Sequence, residues 1–494
     1  MGKRWILGIA ILAGMLVSCR LFPSPTFSPT MAPVVTRSPS PSATPVPTPS
    51  PTPDVEAMRA AIARDYPRVD GSTSALPLQR VVACELLGLP CVWLAGFWSA
   101  ATVIPDMTRI DAPELAEPIN AITHNGTHGA YVNLLEGQAD FILVARPPSE
   151  DELRAAQESG VTLDVQPVAL DAFVFLVNVE NPVDDLSIET VRDIYAGRIT
   201  RWAEGDLKGK SISTYQRNPN SGSQELMEKL VMRSTPMVDS PDMILESMMG
   251  PFNAVDEDEL GIGYSVYYYA VFMLPTPQVK LIAIDGVAPT SANIANRTYP
   301  LTTEVYAVVR EGTPQDSTAR VLRDWLLTGD GQGAVAESGY VPLGGSMPDD
   351  TFAIYLVDEA TSTAELAETA LEDLELEDTP IISAADIAAY ARESHQIELV
   401  PEAYGSLFAF FDRMGISGRP FVVCVGSQRI YAGAFWTPVS SQSFDGIAIV
   451  LLPNEEHTIR IQLGYPESLE LFRGFDLRAD PRILRSLGEA GKLQ

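Results

Sequence analysis

The sequence has few of the residue types that carry out catalysis or bind nucleic acid. Its 494 residues include four cysteines and four histidines, and 34 Lys and Arg stand against 64 Asp and Glu. The formal net charge of −30 excludes nucleic acid and anionic lipid surfaces as general partners. No Cys-x-x-Cys, G-x-S-x-G, Walker or H-E-x-x-H motif occurs. We therefore expect a protein that is not an enzyme and that uses no cofactor and no metal.

Residues 1–19 have the composition of a targeting segment. Lys3 and Arg4 precede an apolar run, Trp5 to Val17, that is too short to span a bilayer comfortably. The segment ends in "LVSC", which resembles the lipobox of bacterial lipoproteins, whose cysteine is lipidated and becomes the mature N-terminus. The alternative is an ordinary signal peptide in which Cys19 is incidental. We expect export and a lipid anchor on Cys19 as the only membrane attachment, at the outer face of the cell membrane or in the periplasm.

Residues 20–53 are rich in Pro, Ser and Thr, and include "SPSPSATPVPTPSPTP". Proline fixes φ and removes a backbone donor, so this segment is predicted to be an extended stalk without a core. The roughly 440 residues that follow exceed what a single core usually holds, so we expect two or three domains.

The cysteines after the stalk are separated into a close pair and a single residue. Cys84 and Cys91, in "ACELLGLPC", are close enough for a disulfide in an oxidising compartment, and two unpaired core thiols are the alternative. Cys424 lies in the apolar run "PFVVCVG" and is predicted to be a buried thiol.

Three loops share one design within a stretch that alternates apolar runs with helical patterns, as α/β proteins do. They are "DGSTSALPL" (Asp70 to Leu78), "THNGTHGAYVNLLEG" (Thr123 to Gly137) and "NSGS" from Asn220, and each precedes a helical pattern. Free N–H groups at a helix start, together with hydroxyls and glycine, suit an anion. Arg217 adds a bidentate fork. Helix capping alone is the alternative explanation for any single loop.

The order of these motifs resembles that of phosphate-binding proteins of ABC transporters. "YPRVDGSTSALPL", "ITHNGTHGAYVNLLEGQADFILVARPPSEDEL", "IYAGRITRW" and "YQRNPNSGSQELMEKL" follow one another as in that family. The resemblance covers roughly Tyr66 to Leu343. It implies an extracytoplasmic solute-binding protein of an ABC importer that binds phosphate or a related oxyanion and has the transporter permease as its partner.

The resemblance also implies an α/β, two-lobed type II periplasmic-binding-protein fold at residues 54–347. The first lobe would hold about 66–167 and 305–345, and the second lobe about 168–300. "VALDAFVFLVN" (168–178) and "LTTEVYAVV" (301–309) would be the two strands that cross between the lobes.

The family's anion contacts fall on three groups of residues in this sequence. They lie in the first loop, in the second loop, and in the third loop with its arginine. They are Ser72, Thr73, Ser74, Gly126, Thr127, Arg217, Ser221, Gly222 and Ser223, and Arg146 is added because of its position after "DFILVA".

The chain departs from the family at two positions. Two positions after Arg217, where the family has an acidic residue, this chain has Pro219. Near the position where the family has an aspartate, this chain has Arg146. Acidic acceptors distinguish protonated phosphate from ionised sulfate. Another oxyanion, or a phosphorylated or carboxylated solute, is therefore an alternative ligand.

His124 and His128 have the i, i+4 spacing of some metal sites, but no carboxylate or cysteine set accompanies them. We expect these histidines to line the cleft or to cap the helix.

Residues 348–494 are predicted to form a separate α+β domain of unknown role. "TFAIYLV" has the pattern of a strand, and "PEAYGSLFAFFDRMG" that of a helix. "RPFVVCVGSQRIYAGAFW" predicts two strands around a turn at Gly426 and Ser427. This domain supports an alternative function, a sensory or scaffolding lipoprotein that uses the same fold for another solute or for a protein partner.

Overall fold

The computed structural model describes residues 55–96, 99–203, 205–345, 349–411, 414–450, 452 and 456–494. The predicted targeting segment, its Cys19 and the stalk 20–53 lie outside the described residues. Residues Asp54–Gln494 form one compact unit. None of the helices described is long and apolar enough to cross a membrane.

The part before residue 346 alternates helices with strands. The helices are Val55–Arg64 (α1), Leu76–Leu87 (α2), Glu117–Asn120 (α3), Gly126–Leu135 (α4), Glu150–Glu158 (α5), Ile188–Tyr195 (α6), Gly222–Leu226 (α7), Gly250–Glu257 (α8), Ser291–Ala295 (α9), Thr318–Leu326 (α10) and Gly329–Glu337 (α11). The strands are Val69–Gly71 (β1), Cys91–Gly96 (β2), Ser99–Pro105 (β3), Phe141–Val144 (β4), Leu163–Asn178 (β5), Asp185–Leu186 (β6), Ser213–Thr214 (β7), Gln216–Arg217 (β8), Ile244–Leu245 (β9), Gly261–Val266 (β10), Val279–Leu281 (β11), Ala283–Ile284 (β12), Thr302–Arg310 (β13) and Val341–Pro342 (β14).

One sheet joins two lobes through two long strands. Its order is β1-β4-β13-β5-β10-β7, and β11 and β14 also pair with β5. The N-terminal half of β5 pairs with β13, which pairs with β4, whereas its C-terminal half pairs with β10 and β11. We call the side built on β1 and β4 the first lobe and the side built on β10 and β7 the second lobe. The α/β, two-lobed fold class predicted from the sequence is therefore confirmed.

The first crossing strand is longer than its apolar run. From Val168 to Asn178 every residue of β5 is buried, as expected for a strand covered on both faces. The strand nevertheless begins five residues earlier, at Leu163, because "LDVQP" pairs with β13. The sequence reading missed this part because polar residues and Pro167 interrupt its apolar pattern. The return strand β13 lies one residue further along the chain than predicted.

The last part of the chain forms a second sheet with its own core. Its elements are Phe352–Leu356 (β15), Ile382–Ser383 (β16), Ile387–Ala391 (β17), Gln396–Leu399 (β18), Pro401–Phe411 (α12), Arg419–Val425 (β19), Gln428–Trp436 (β20), Phe444–Val450 (β21), Thr458–Tyr465 (β22) and Pro481–Glu489 (α13). The sheet order is β16-β15-β19-β20-β21-β22-β18-β17. The predicted hairpin around Gly426 is confirmed, since Val425 pairs with Gln428.

The last helix, α13, contacts both lobes. Arg485 donates to the carbonyl of Gly339, which follows α11 of the first lobe, at 3.0 Å. Its guanidinium also lies 5.2 Å from the ring centroid of Phe272, which follows β10 of the second lobe. Glu489 accepts hydrogen bonds from the hydroxyls of Tyr267 and Ser291. The C-terminal domain is thus held to the two lobes by specific polar contacts.

The Sγ atoms of Cys84 and Cys91 are 1.98 Å apart, in a disulfide that joins the end of α2 to the start of β2. Cys424 is buried in β19, and burial raises the pKa of its thiol to about 11.

Candidate functional site

The three loops predicted to bind an anion line one cavity of about 770 Å³, to which both lobes contribute. Arg146 does not lie in the described wall of this cavity. The predicted residues that do line it are Ser72, Thr73, Ser74, Gly126, Thr127, Arg217, Ser221, Gly222 and Ser223.

A larger groove, of about 1040 Å³, lies on the first lobe. Its cations Arg68 and Arg310 both pair with Asp140, at 2.7 and 3.3 Å. Charges that are already compensated within the protein offer little to a ligand anion. We therefore take the 770 Å³ cavity as the candidate site.

A buried carboxylate, Asp70, connects the first loop to the second. Its Oδ1 accepts hydrogen bonds from the N–H groups of Gly71 (2.7 Å) and Asn125 (2.9 Å). Its Oδ2 accepts from the side-chain amides of Asn125 (2.9 Å) and Asn133 (2.6 Å). Burial raises the pKa of Asp70, but these hydrogen bonds outweigh it and the pKa lies below its usual value. Asp70 is thus an ionised group that positions the loops.

The first loop needs glycine at its start. A Cβ on Gly71 would lie 2.2 Å from both the Leu143 carbonyl oxygen and Nε2 of Gln79. This close approach allows the Ser72 N–H to donate to the same carbonyl, at 2.9 Å. The hydroxyls of Ser72 and Ser74 then lie 3.3 Å apart, both in largely buried residues.

The second loop meets the third across the cavity. Gly126, with φ +77°, adopts a conformation that favours glycine, and α4 begins at this residue. Thr127 follows and is buried. A Cβ on Gly222 would lie 2.7 Å from Oγ1 of Thr127, so loops from the two lobes touch at this end of the cavity.

Arg217 brings a buried positive charge to the cavity wall. Its Nε donates to the Leu245 carbonyl at 2.9 Å, and its Nη1 donates to Oγ of Ser223 at 3.2 Å. Its Nη2 donates to the Glu246 carbonyl at 3.0 Å and to Oδ1 of Asn218 at 3.4 Å. All of these acceptors are neutral, and burial lowers the pKa of Arg217. Within the described part of the chain, no carboxylate forms an ion pair with it.

Hydrogen bonds from β10 and α7 hold Arg217 in place. The hydroxyl of Tyr264 accepts from the Arg217 N–H at 2.9 Å and donates to Oε1 of Gln224. Ser221 caps α7, since its Oγ accepts from the Gln224 N–H at 3.2 Å. The arginine is therefore fixed before any ligand arrives.

Residues 110–329 match the model of the PBP superfamily domain. The match contains the second and third loops, and the first loop lies before it. Among curated proteins, the chain is 26% identical over 231 residues to the phosphate-binding protein PstS of Staphylococcus saprophyticus, covering 44% of this chain and 70% of that protein. It is 25% identical over 241 residues to PstS of Staphylococcus aureus, covering 47% of this chain and 71% of that protein.

Two solved structures are also similar to this chain. One is a putative phosphate ABC transporter substrate-binding protein with bound phosphate from Clostridium perfringens, with a TM-score of 0.42 and 22% identity, covering 56% of this chain and 98% of that one. The other is an ABC-type phosphate transport receptor from Vibrio cholerae, with a TM-score of 0.40 and 22% identity, covering 55% and 98%.

A buried ion pair holds Arg146 away from the cavity. Its Nη1 and Nη2 donate to the two oxygens of Glu152, at 2.8 and 2.9 Å. Glu152 also closes a capping box with Ser149 at the start of α5. The S-x-x-E pattern in "PPSEDEL" is the sequence signal that indicates this arrangement. The charge of Arg146 is therefore compensated within the protein.

The described cavity wall contains no buried carboxylate. Glu246 is the acidic residue of that wall; it is exposed, and its carbonyl is the atom that contacts Arg217. Pro219, at the position where the family resemblance implies an acid, lines the cavity and is exposed. His124 and His128 also line the cavity, and Nδ1 of His128 lies 3.0 Å from Oε1 of Glu152.

Sequence reasoning missed an apolar part of the wall. It consists of the residue that follows β4 and of residues from β10, from the segment between β9 and α8, and from the turn after β10. They are Ala145, Met248, Met249, Val266 and Tyr269. Three consecutive tyrosines occur at 267–269, and no sequence pattern distinguishes the one that faces the cavity, because a π-helical turn begins there.

Proposed function

We propose that this chain is an extracytoplasmic solute-binding protein that captures phosphate, or a similar oxyanion, between its two lobes. The observation that carries the proposal is Arg217, a buried guanidinium in the cavity wall whose described partners are all neutral. A buried charge without a counter-charge is costly unless a ligand supplies one. The names of the PstS relatives, which are phosphate-binding proteins, support phosphate as that ligand.

Both lobes contribute donors to the anion in this proposal. Ser72, Ser74 and Thr127 belong to the first lobe, and Arg217 and Ser223 to the second. Each hydroxyl can donate to an anionic oxygen, and Arg217 adds a charge-assisted hydrogen bond. A ligand bonded to both lobes favours the state in which they are closed around it. Binding and release then require no covalent chemistry.

We also propose that the protein delivers its solute to an ABC transporter permease from a membrane anchor. Export and lipidation at Cys19 would tether the chain, and the stalk 20–53 would separate the binding domain from the bilayer. The resemblance of the loop motifs to those of phosphate-binding proteins of ABC transporters supports a transport role.

A sensory or scaffolding role is the second candidate, and one contact favours it. Because α13 touches both lobes, through Arg485 and Glu489, a change in lobe separation would reach the C-terminal domain. Normal phosphate uptake by cells that lack the protein would favour sensing over transport.

Calorimetric titration of the full-length chain with inorganic phosphate tests the proposed function. We expect saturable 1:1 binding, and at least a roughly 30-fold loss of affinity in Arg217→Gln, because removing one partner of a buried charged contact costs about 2–5 kcal/mol. The matched control is Arg198→Gln, which removes an arginine from an exposed pair with Asp193. Absence of phosphate binding, or equal affinity in the wild type and Arg217→Gln, would contradict the proposal.

A further inference from the structure

We propose that the cavity takes a phosphomonoester, a phosphate with one oxygen bonded to a small apolar or aromatic group, in preference to inorganic phosphate. This inference rests on the proposed function and specifies its ligand. It follows from the polar groups that the cavity wall contains, from the space beside Arg217 and from the apolar residues that line that space.

The described wall offers donors to an anion but no buried carboxylate to accept a hydrogen bond from a protonated anion. Inorganic phosphate keeps at least one proton near neutral pH, and without a carboxylate its P–O–H forgoes the stronger, charge-assisted hydrogen bond. Glu246 contacts Arg217 through its backbone carbonyl, and Pro219 presents no acid. A phosphomonoester has a second pKa of about 6, so it is mainly a dianion with three acceptor oxygens. Its fourth oxygen carries carbon and needs no acceptor.

The anion end of the cavity is already closed. Gly222 approaches Thr127 so closely that an added Cβ would lie 2.7 Å from its hydroxyl oxygen. The volume of about 770 Å³ therefore does not come from separated loops at that end. It falls within the ~300–1,000 Å³ of cavities that bind drug-sized ligands, and it exceeds what a five-atom anion occupies.

The wall of the remaining space is suited to an apolar group. Met248 and Met249 are half-buried in it, and Val266 and Tyr269 contribute buried side chains. Methionine adapts to irregular shapes and packs well against aromatic rings. An aryl or small alkyl group bonded to the phosphate would bury its surface here.

Tyr269 is placed to contact both parts of such a ligand. Its ring lines the cavity, and burial raises the pKa of its hydroxyl to about 12, so the group keeps its proton. Arg217 lines the same cavity. In the described part of the chain the hydroxyl forms no hydrogen bond within the protein, unlike those of Tyr267 and Tyr268. It is therefore free to donate to a phosphoryl or ester oxygen.

Calorimetry on the full-length chain at pH 7.5 tests the inference, with inorganic phosphate, phenyl phosphate and sulfate as probes. We expect phenyl phosphate to bind about tenfold more tightly than inorganic phosphate, or better, because the ring adds buried apolar surface. We expect sulfate, which carries no proton, to bind within about tenfold of inorganic phosphate.

The possible failures are distinguishable. If the protein bound phosphate but not phenyl phosphate, or phosphate but not sulfate, a group in the site would have to accept a hydrogen bond from the protonated oxygen of phosphate. Either result would overturn this inference and leave the proposed function intact. Binding of none of the three anions would overturn both.

A pair of variants tests the acceptor argument directly. Pro219→Asp places a carboxylate at the wall position where the family resemblance implies an acid, and Pro219→Asn is the control of matched size without charge. We expect the ratio of phenyl phosphate affinity to inorganic phosphate affinity to fall at least tenfold in Pro219→Asp relative to Pro219→Asn. Equal ratios in the two variants would overturn the argument.

Discussion

Arg146 and Arg217 are two equally buried arginines with opposite surroundings. Their exposed fractions are 4% and 6%. Burial alone lowers the pKa of Arg146, but hydrogen bonds and charge from Glu152 outweigh it and raise the pKa above its usual value. Arg217 has only neutral partners in the described structure, and burial lowers its pKa. The difference teaches that a counter-charge, rather than burial or residue type, separates a structural arginine from one that is available to a ligand.

The largest effect should follow from breaking the compensated pair. We expect Arg146→Gln to lower the free energy of unfolding by about 3–5 kcal/mol, because it leaves Glu152 buried without its partner. Urea unfolding measures the change, and Arg198→Gln, from an exposed pair, should cost about 0–1 kcal/mol. If both variants had the same free energy of unfolding, the buried pair would contribute no more to stability than the exposed pair.

Asp171 extends the comparison to a carboxyl group, because it is also a buried ionisable group without a counter-charge among its described partners. It lies in β5 between the lobes, and its Oδ1 accepts from the N–H groups of Ala172 and Tyr268. Its Oδ2 has no hydrogen-bond partner among the described residues. The hydroxyl of Thr303, opposite it on β13, likewise has none. Burial raises the pKa of Asp171 to about 7.

The raised pKa of Asp171 makes stability depend on pH. The folded protein holds this proton more tightly than the unfolded chain, whose aspartate pKa is about 3.9. The stabilisation is therefore fully present below about pH 4 and is lost as pH rises to about 7. We expect Asp171→Asn to be more stable than the wild type at pH 8, by roughly 2–4 kcal/mol. The difference should shrink at pH 4.5, and urea unfolding at both values measures it; equal differences at the two pH values would contradict the prediction.

Much of this arrangement could be predicted from the sequence. Short-range patterns were sufficient for the three loops and their helices, and for the continuous apolar run in β5. Contacts between distant residues were not accessible in this way: Asp70 bonds Asn125 and Asn133, which lie 55 and 63 positions away. The position of Arg146 after the strand "DFILVA" predicts a ligand contact, but in the structure Arg146 pairs with Glu152. Glu152 lies only six positions away and belongs to a capping box that the sequence pattern indicates. The domain boundaries stay a prediction.

Arg485 lies between the two extremes and should show an intermediate effect. It donates to the Gly339 carbonyl, lies over Phe272 and is 3.9 Å from Asp350, while its Nε has no hydrogen-bond partner among the described residues. We expect Arg485→Gln to lower the free energy of unfolding by about 1–2 kcal/mol through the lost cation–π contact and hydrogen bond. Unfolding followed by tryptophan fluorescence measures this. If Arg485→Gln lowered the free energy of unfolding as much as Arg146→Gln does, the distant Asp350 would compensate the charge of Arg485 as fully as Glu152 compensates that of Arg146.

The smallest effect on stability is expected where the effect on binding is largest. Arg217→Gln removes four hydrogen bonds to neutral acceptors, but it also removes an uncompensated buried charge, and the two terms oppose each other. We therefore expect the unfolding free energy of Arg217→Gln without ligand to stay within about 1 kcal/mol of that of the wild type.

Millimolar phosphate should raise the midpoint of thermal unfolding of the wild type, because a ligand stabilises the state that binds it. The same addition should leave Arg217→Gln unchanged and should still raise the midpoint of Arg146→Gln. If phosphate raised all three midpoints equally, the contrast between a structural and a ligand-binding arginine would be wrong, because the anion would then bind without Arg217.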